Sequence, residues 1–227
     1  MSNRIEASAL TPQILLRAYA AGLFPMAETA EDEHLFWIDP QFRGIFPLDG
    51  LIVSTSLAKT VRCDRFGIRL DHDFDAVIDA CAGHGIARPN TWINQDIRRL
   101  FRALFETGHA HTVEAWRDNV LVGGLYGLAL GGAFFGESMF HQQTDASKVA
   151  LVHLAAHLRK SGYALLDTQF LTPHLASLGA VEISRADYRR RLALALQRQI
   201  GPQSWRSQPT QTGSEALASL TREMPAG

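Results

Sequence analysis

The sequence predicts a mixed α/β chain, a central sheet flanked by helices, with a small amino-terminal domain in front of it. The hydrophobic period switches from helical to strand-like and back along the chain. Two turn pairs, Asp118-Asn119 and Gly131-Gly132, divide one stretch into three consecutive strand segments, the pattern of an antiparallel meander. The 227 residues span about one and a half average domains, and 46% hydrophobic with 20% charged residues is ordinary globular usage, which excludes disordered and fibrous chains.

Thr11-Pro12 predicts a helix start, with a capping hydroxyl and proline at the first helical position; Ile14, Leu15, Ala18 and Tyr19 form its apolar stripe and Gly22 closes it. From Leu23 to Leu48, with an acidic run between Glu28 and Glu33, several prolines and aromatics suggest an irregular, packed segment. Leu51 to Ser54 and Gly67 to Leu70 look like strands. A helix on Phe74, Val77, Ile78 and Cys81 ends at Gly83, and a second, capped by Asn94, carries Ile97, Leu100, Phe101, Leu104 and Phe105 up to Gly108. The meander is Thr112 to Trp116, Val120 to Leu130 and Ala133 to Phe140. Asp145 caps the next helix, Gly162 ends it, and Tyr163 to Thr168 is a buried strand. Thr172-Pro173 opens a short helix, and Ser184-x-x-Asp187 has the form of a capping box for a last one. The expected division is a small amino-terminal domain over 1–43, a catalytic domain over 44–205 and a loosely held tail over 206–227.

Charge and composition narrow the function. Lys and Arg total 22 against 23 Asp and Glu, a net charge of −1, so no molecule-wide field attracts nucleic acid and any RNA contact must be local. Cys63 and Cys81 stand alone, which argues against a disulfide framework or a zinc site. His109 and His111, and the pair His153-x-x-x-His157, have no third ligand nearby in sequence, so no metal is expected. The amino terminus lacks a signal-peptide apolar stretch and the longest apolar run is broken by glycines; a soluble cytoplasmic protein without a membrane partner is expected.

The element order is that of the GCN5-related acyl-CoA N-acyltransferase-like fold. In acyl-CoA users a glycine-rich loop opens the helix after the third meander strand and grips pyrophosphate through backbone N–H groups. Here that junction is His141-Gln142-Gln143-Thr144-Asp145-Ala146-Ser147-Lys148, with no glycine and with an aspartate. The fold is predicted without its usual cofactor.

Blocks running in order from about residue 11 to 192 carry a more specific signal: Leu16-Arg17-Ala18-Tyr19-Ala20-Ala21-Gly22-Leu23-Phe24-Pro25, Trp37-x-Asp39-Pro40, Thr91-Trp92-Ile93, Glu114-x-Trp116, Gly136-Glu137-Ser138-Met139-Phe140, Ala146-Ser147-Lys148 and Asp167-x-Gln169 with His174-x-Ala176-Ser177-Leu178-Gly179. Together the chain resembles the leucyl/phenylalanyl-tRNA–protein transferase family. The resemblance implies attack of an uncharged amino-terminal amine on the ester of an aminoacyl-tRNA. It implies Leu, and also Phe or Met, as the transferred residue, proteins with amino-terminal Arg or Lys as acceptors, degradation of the product by the N-end rule, and no cofactor.

The resemblance makes Asp167 and Gln169 the catalytic pair; on a strand, residues i and i+2 point the same way. Without it, Asp167 capping the following turn and Gln169 satisfying backbone groups is the plainer reading. Glu137, in an apolar run, needs a partner: the resemblance has it hold the aminoacyl-adenosine end, against an ion pair with Lys148 or an arginine. Trp92 and Met26 fall where the family stacks the terminal adenine, Met26 replacing a tryptophan. Leu125, Phe134, Leu154 and Leu166 fall on the amino-acid pocket, though their spacing also suits plain core; Trp37 and Trp116 are expected in the core. Arg185, Arg189, Arg190, Arg191, Arg98, Arg99 and Arg102 are candidates for tRNA backbone contacts. The alternatives are an acyl-CoA-dependent N-acetyltransferase, a non-catalytic tRNA-binding adaptor, and the same transfer to amino-terminal Asp or Glu.

Overall fold

A computed structural model describes residues 4–6, 10–27, 29, 32, 34–83, 93–201, 203–206 and 210–221. The chain opens with β1 (Arg4–Glu6), α1 (Pro12–Ala20), β2 (Phe24–Met26), β3 (His34–Ile38) and β4 (Phe42–Phe46). Then come α2 (Thr55–Arg62), β5 (Gly67–Leu70), α3 (Phe74–Ala82) and α4 (Gln95–Glu106). The meander is β6 (Ala110–Arg117), β7 (Val120–Leu130) and β8 (Ala133–His141). It leads to α5 (Ala146–Lys160), β9 (Leu165–Gln169), α6 (Pro173–Ser177), β10 (Val181–Ser184), α7 (Arg185–Leu196), α8 (Gln203–Arg206) and α9 (Gly213–Thr221).

Local chemistry sets most helix starts. The side chains of Thr11, Ser54, Asp73, Asn94, Thr172 and Ser184 each accept the N–H three residues on. Asp145 departs from its expectation: it precedes α5 in a left-handed conformation, φ +69°, makes no cap bond, and binds Lys148 Nζ at 2.9 Å.

Seven strands form the main sheet in the order β10-β4-β9-β8-β7-β6-β5. Every neighbouring pair is antiparallel except β8 and β9, which run parallel. That parallel pairing ends at Phe135 opposite Asp167, although β8 continues to His141 and β9 to Gln169, so the two strands part beyond it. Just past the split, Gly127 pairs with Gly136 and Tyr126 with Ser138, leaving Glu137 as the extra residue of a bulge. Gly127 is required there: a Cβ would lie 2.3 Å from the Phe135 carbonyl oxygen.

The segment expected to be irregular forms β2, β3 and β4 instead. β1, β3 and β2 make a separate three-stranded antiparallel sheet, while β4 joins the main sheet between β10 and β9. The prolines in this stretch obscure the strands in sequence, and β4 is buried from Arg43 to Phe46 without alternation. Conversely, residues 51 to 54 form no strand; Ile52 N–H reaches the Leu178 carbonyl and Ser54 caps α2.

Helices α1, α3, α4 and α7 cover one face of the main sheet and α2, α5 and α9 the other. The first core is continuous from Leu15, Tyr19, Phe24 and Leu35 of the amino-terminal segment to Phe74, Phe101, Tyr126 and Phe135, so this segment is pressed onto the sheet. The tail, expected to be loosely held, is docked where it is described. Trp205 is buried, and α9 lies on α2 and α5 with Ala216 fully covered and Gly213 N–H bound to Asp64. Among the described residues no helix is long and apolar enough to cross a membrane.

Candidate active site

Asp167 sits at the last position of β9 that pairs with β8 and is fully buried. A carboxylate in that place must be paired, and Arg43 of β4 pairs it. Its Nε donates to Asp167 Oδ1 at 2.9 Å and its Nη2 to Oδ2 at 2.6 Å. The Tyr188 hydroxyl of α7 donates to Oδ2 at 2.7 Å, and the Gln169 backbone N–H donates to Oδ1 at 2.8 Å. Both oxygens are thereby saturated. Asp167 is a brace rather than a free base: the turn-capping bond of the plainer reading is present, and it belongs to the same network as Gln169 and Glu137.

Arg43 is held as firmly as it holds. Its guanidinium lies between the rings of Phe24 and Tyr188, 4.4 and 4.5 Å from their centroids, and its Nη1 donates to the Gly22 carbonyl at 3.1 Å. Gly22 adopts φ +85° where α1 ends, and a Cβ there would stand 3.4 Å from the Tyr188 ring, so glycine permits both the turn and the approach.

The brace fixes Gln169, whose φ of +59° is a conformation that costs a non-glycine residue on the order of 1–2 kcal/mol. Its side-chain Nε2 donates to Glu137 Oε1 at 3.1 Å, and the same oxygen accepts the Tyr19 hydroxyl of α1 at 2.7 Å. With the amide nitrogen engaged, Gln169 keeps its carbonyl oxygen for an incoming donor. Glu137 forms no ion pair among the described residues; Lys148 is tied to Asp145. Desolvation, followed by the negative charge of Asp167, pushes the Glu137 carboxyl up to about 8 against the opposing Tyr19 hydrogen bond and the Arg43 charge. Burial beside Glu137 likewise raises Tyr19, and burial next to Asp167 raises Tyr188.

Two adjoining cavities meet at these groups. The larger, about 520 Å³, is lined by Phe24, Pro25, Met26, Ile93, Phe170 and His174 among others; the smaller, about 100 Å³, is an apolar recess lined by Phe46, Leu125, Leu151, Leu154 and Leu166. Glu137, Ser138, Met139, Thr168, Gln169 and Leu175 line both. The structure thus brings Asp167, Gln169, Glu137, Met26, Leu125, Leu154 and Leu166 together. Phe134 stands apart: it lines neither cavity and lies fully buried, opposite Leu166 in the pairing of β8 with β9, its ring 5.4 Å from Trp205. Trp92 lies outside the described residues.

Sequence reasoning missed Arg43, Tyr188 and the polar role of Tyr19. Arg43 precedes the apolar run Gly44-Ile45-Phe46 in β4, the same signal that singled out Glu137; the two tyrosine hydroxyls left none, since Tyr19 reads as part of an apolar helix stripe. Other candidates have partners within the protein. Glu114 is buried and accepts from His72 N–H, Asp73 N–H, the Thr112 hydroxyl and Trp116 Nε1. Trp116 and Trp37 are only partly buried. His111 pairs with Asp71 at 2.7 Å, and no metal-binding cluster occurs among the described residues. Arg98, Arg99, Arg102, Arg185, Arg189 and Arg190 each pair with an acidic side chain.

Comparison with known proteins gives a consistent result. The family model described as leucyl/phenylalanyl-tRNA protein transferase matches residues 45–193, and the model of that family's N-terminal domain matches residues 8–41. The chain is 55% identical over 219 residues to a leucyl/phenylalanyl-tRNA–protein transferase of Rhodopseudomonas palustris strain TIE-1, covering 95% of this chain and 96% of that one. It is 60% identical over 187 residues to one of Paramagnetospirillum magneticum, covering 82% and 90% respectively.

Proposed function

The chain belongs to the leucyl/phenylalanyl-tRNA protein transferase family, aminoacyltransferases that use charged tRNA as donor and a protein as acceptor, and on that premise we propose how its own residues carry the transfer. The observation that supports the proposal is the hydrogen-bonded chain Arg43–Asp167–Gln169–Glu137–Tyr19, standing where an apolar recess opens into a larger cavity.

The donor's side chain enters the recess between Leu125, Leu154 and Leu166, with Phe134 as its packing support, and its adenosine lies in the larger cavity beside Met26; Trp92 keeps the adenine-stacking role that the family resemblance gives it. Glu137 holds the aminoacyl-adenosine end. Gln169 receives an N–H of the acceptor amine on its carbonyl oxygen, aiming the nitrogen lone pair at the ester carbon, and Asp167 keeps Gln169 in that posture. An amino terminus, with a pKa of about 7.7–8.0, is partly neutral at pH 7, so orientation replaces a strong base. The ester is already activated, so no cofactor is needed. Acceptors begin with Arg or Lys and the product is marked for degradation by the N-end rule; the reaction is cytoplasmic. The chain divides near residue 43 into a small amino-terminal domain, which supplies Tyr19, Gly22, Phe24 and Met26 to the site, and a catalytic domain.

Transfer from labelled Leu-, Phe-, Met- and Ile-tRNA to peptides differing only in their first residue tests this. Leu, Phe and Met should move to Arg- and Lys-peptides and β-branched Ile should lag by about 10-fold or more, a methylene-scale discrimination. Equal use of Ile would refute the recess assignment, and transfer to Asp- or Glu-peptides alone would refute the acceptor assignment.

A further inference from the structure

The two carboxyls of the site, Asp167 fully buried and Glu137 half-buried at the cavity wall, stand in opposite environments, and such a contrast separates an ionised group from a protonated one. Asp167 takes every guanidinium hydrogen bond that Arg43 directs at a carboxylate; the remaining donor, Nη1, goes to Gly22. Glu137 has only neutral donors, Tyr19 and Gln169, and both bind Oε1. Its Oε2 has no hydrogen-bond donor among the described residues. It sits at a bulge where the strands part, and it lines both cavities.

We propose that Glu137 is the proton-transferring residue of the reaction, its proton carried on Oε2 while Tyr19 and Gln169 hold Oε1. This rests on the reading of the site given above. The acceptor nitrogen attacks the ester carbon, forming the C–N bond as the carbonyl π pair moves onto oxygen. When the carbonyl reforms, the bond from carbon to the ribose 3′ oxygen breaks and its electron pair leaves with that oxygen, which takes the Oε2 proton. The nitrogen, still carrying its extra proton, returns one to Glu137. The net change is one proton moved from amine to ribose hydroxyl, with Glu137 regenerated. Tyr19 is a positioning residue: it supplies the hydrogen bond that keeps Oε1 an acceptor and directs the proton to Oε2.

The charged and titratable groups facing Glu137 are Tyr19 from α1, Tyr126 from β7, and Asp167 with its partner Arg43 from β9 and β4; Cys81 and His174 line the larger cavity opposite. Tyr126 has a buried hydroxyl without a hydrogen-bond partner among the described residues. Asp167 is paired with Arg43; the two charges act on Glu137 in opposite directions, and desolvation dominates in raising Glu137 to about 8.

The test is kcat against pH for the wild type, Glu137→Gln and Tyr19→Phe, with saturating Leu-tRNA and an Arg-initiated peptide. The wild type should lose kcat on the alkaline side. Glu137→Gln preserves an oxygen for Tyr19 and Gln169 but has no proton to give, so kcat should fall by about 10²–10⁴ and the alkaline limb should vanish. Tyr19→Phe removes a hydrogen bond that favours the ionised carboxylate, so its alkaline limb should move to higher pH. A Glu137→Gln enzyme within about threefold of wild type, or an alkaline limb that neither variant alters, would overturn the inference. If Glu137→Gln does not fold, the Tyr19→Phe profile decides alone. Gln169→Ala and Asp167→Asn run beside them separate the two levels: if both retain wild-type rates, the site reading falls, whereas losses there with an unaffected Glu137→Gln remove this inference only.

Discussion

At the scale of single residues the site turns on where one arginine spends its charge. Arg43, 1% exposed, pairs with the fully buried Asp167, and removing one partner of such a pair leaves an uncompensated charge in the core. Arg43→Ala should therefore lower stability by about 3–5 kcal/mol, read as a fall in Tm and in denaturant midpoint. Arg43→Ala with Asp167→Asn should recover part of that loss without recovering transfer, because Gln169 then lacks its brace. A single variant as stable as the wild type would show that Asp167 is not ionised in the folded chain. The pair was half legible: Asp167-x-Gln169 stood out as a motif, but Arg43 lies 124 positions away and meets it only because β4 inserts beside β9. Phe134 shows another limit of the sequence: it pairs with the recess residue Leu166 yet lines neither cavity, and strand alternation does not say which buried side chains reach a cavity.

At the scale of elements, most helices were legible from caps and closing glycines because those signals act within four residues of chain. The segment from 203 onward was not, since its partners are distant. Trp205 stacks on His111 with ring centroids 4.2 Å apart and an interplanar angle of 5°, lies 4.4 Å from His157, and donates Nε1 to the Tyr163 hydroxyl at 2.9 Å. It closes the second core together with Phe134, Leu154 and Leu158. Trp205→Ala should cost roughly 3–5 kcal/mol, measurable as a lowered Tm, with Trp205→Phe losing less because the ring contacts persist. A Trp205→Ala chain with wild-type Tm would mean that α8 contributes nothing to the fold. The absence of periodicity after Gly201 suggested a loose tail; a four-residue helix with one aromatic anchor is too short to display any period.

At the scale of the whole molecule, buried titratable groups shape the dependence of stability on pH. Burial holds His153 and His157 down to about 4 from 6.5, so they are neutral in the folded chain while the unfolded chain takes up protons below pH 6.5; this stability is present above 6.5 and is lost as pH falls toward 4. Glu137, raised from 4.5 to about 8, works the other way: its contribution is complete below 4.5 and lost as pH rises through 8. Between 4.5 and 6.5 two histidines oppose one glutamate and stability should rise with pH; between 6.5 and 8 the glutamate acts alone and stability should fall. The maximum should lie near pH 6.5 in chemical denaturation, and Glu137→Gln should flatten the alkaline side; a curve still rising from pH 6.5 to 8 would show that the Glu137 carboxyl is not raised in the folded chain. By itself the sequence determined what depends on neighbouring positions or on an ordered set of motifs: the helix caps, the meander, the glycine-free junction before α5, the family resemblance, and the pair Asp167 and Gln169. The tertiary structure alone decided the state of those groups. Whether a carboxyl is ionised depends on what desolvates and pairs it, and here Arg43, Tyr188 and Tyr19 reach Asp167 and Glu137 from 21 to 124 positions away, a distance across which no local pattern carries information.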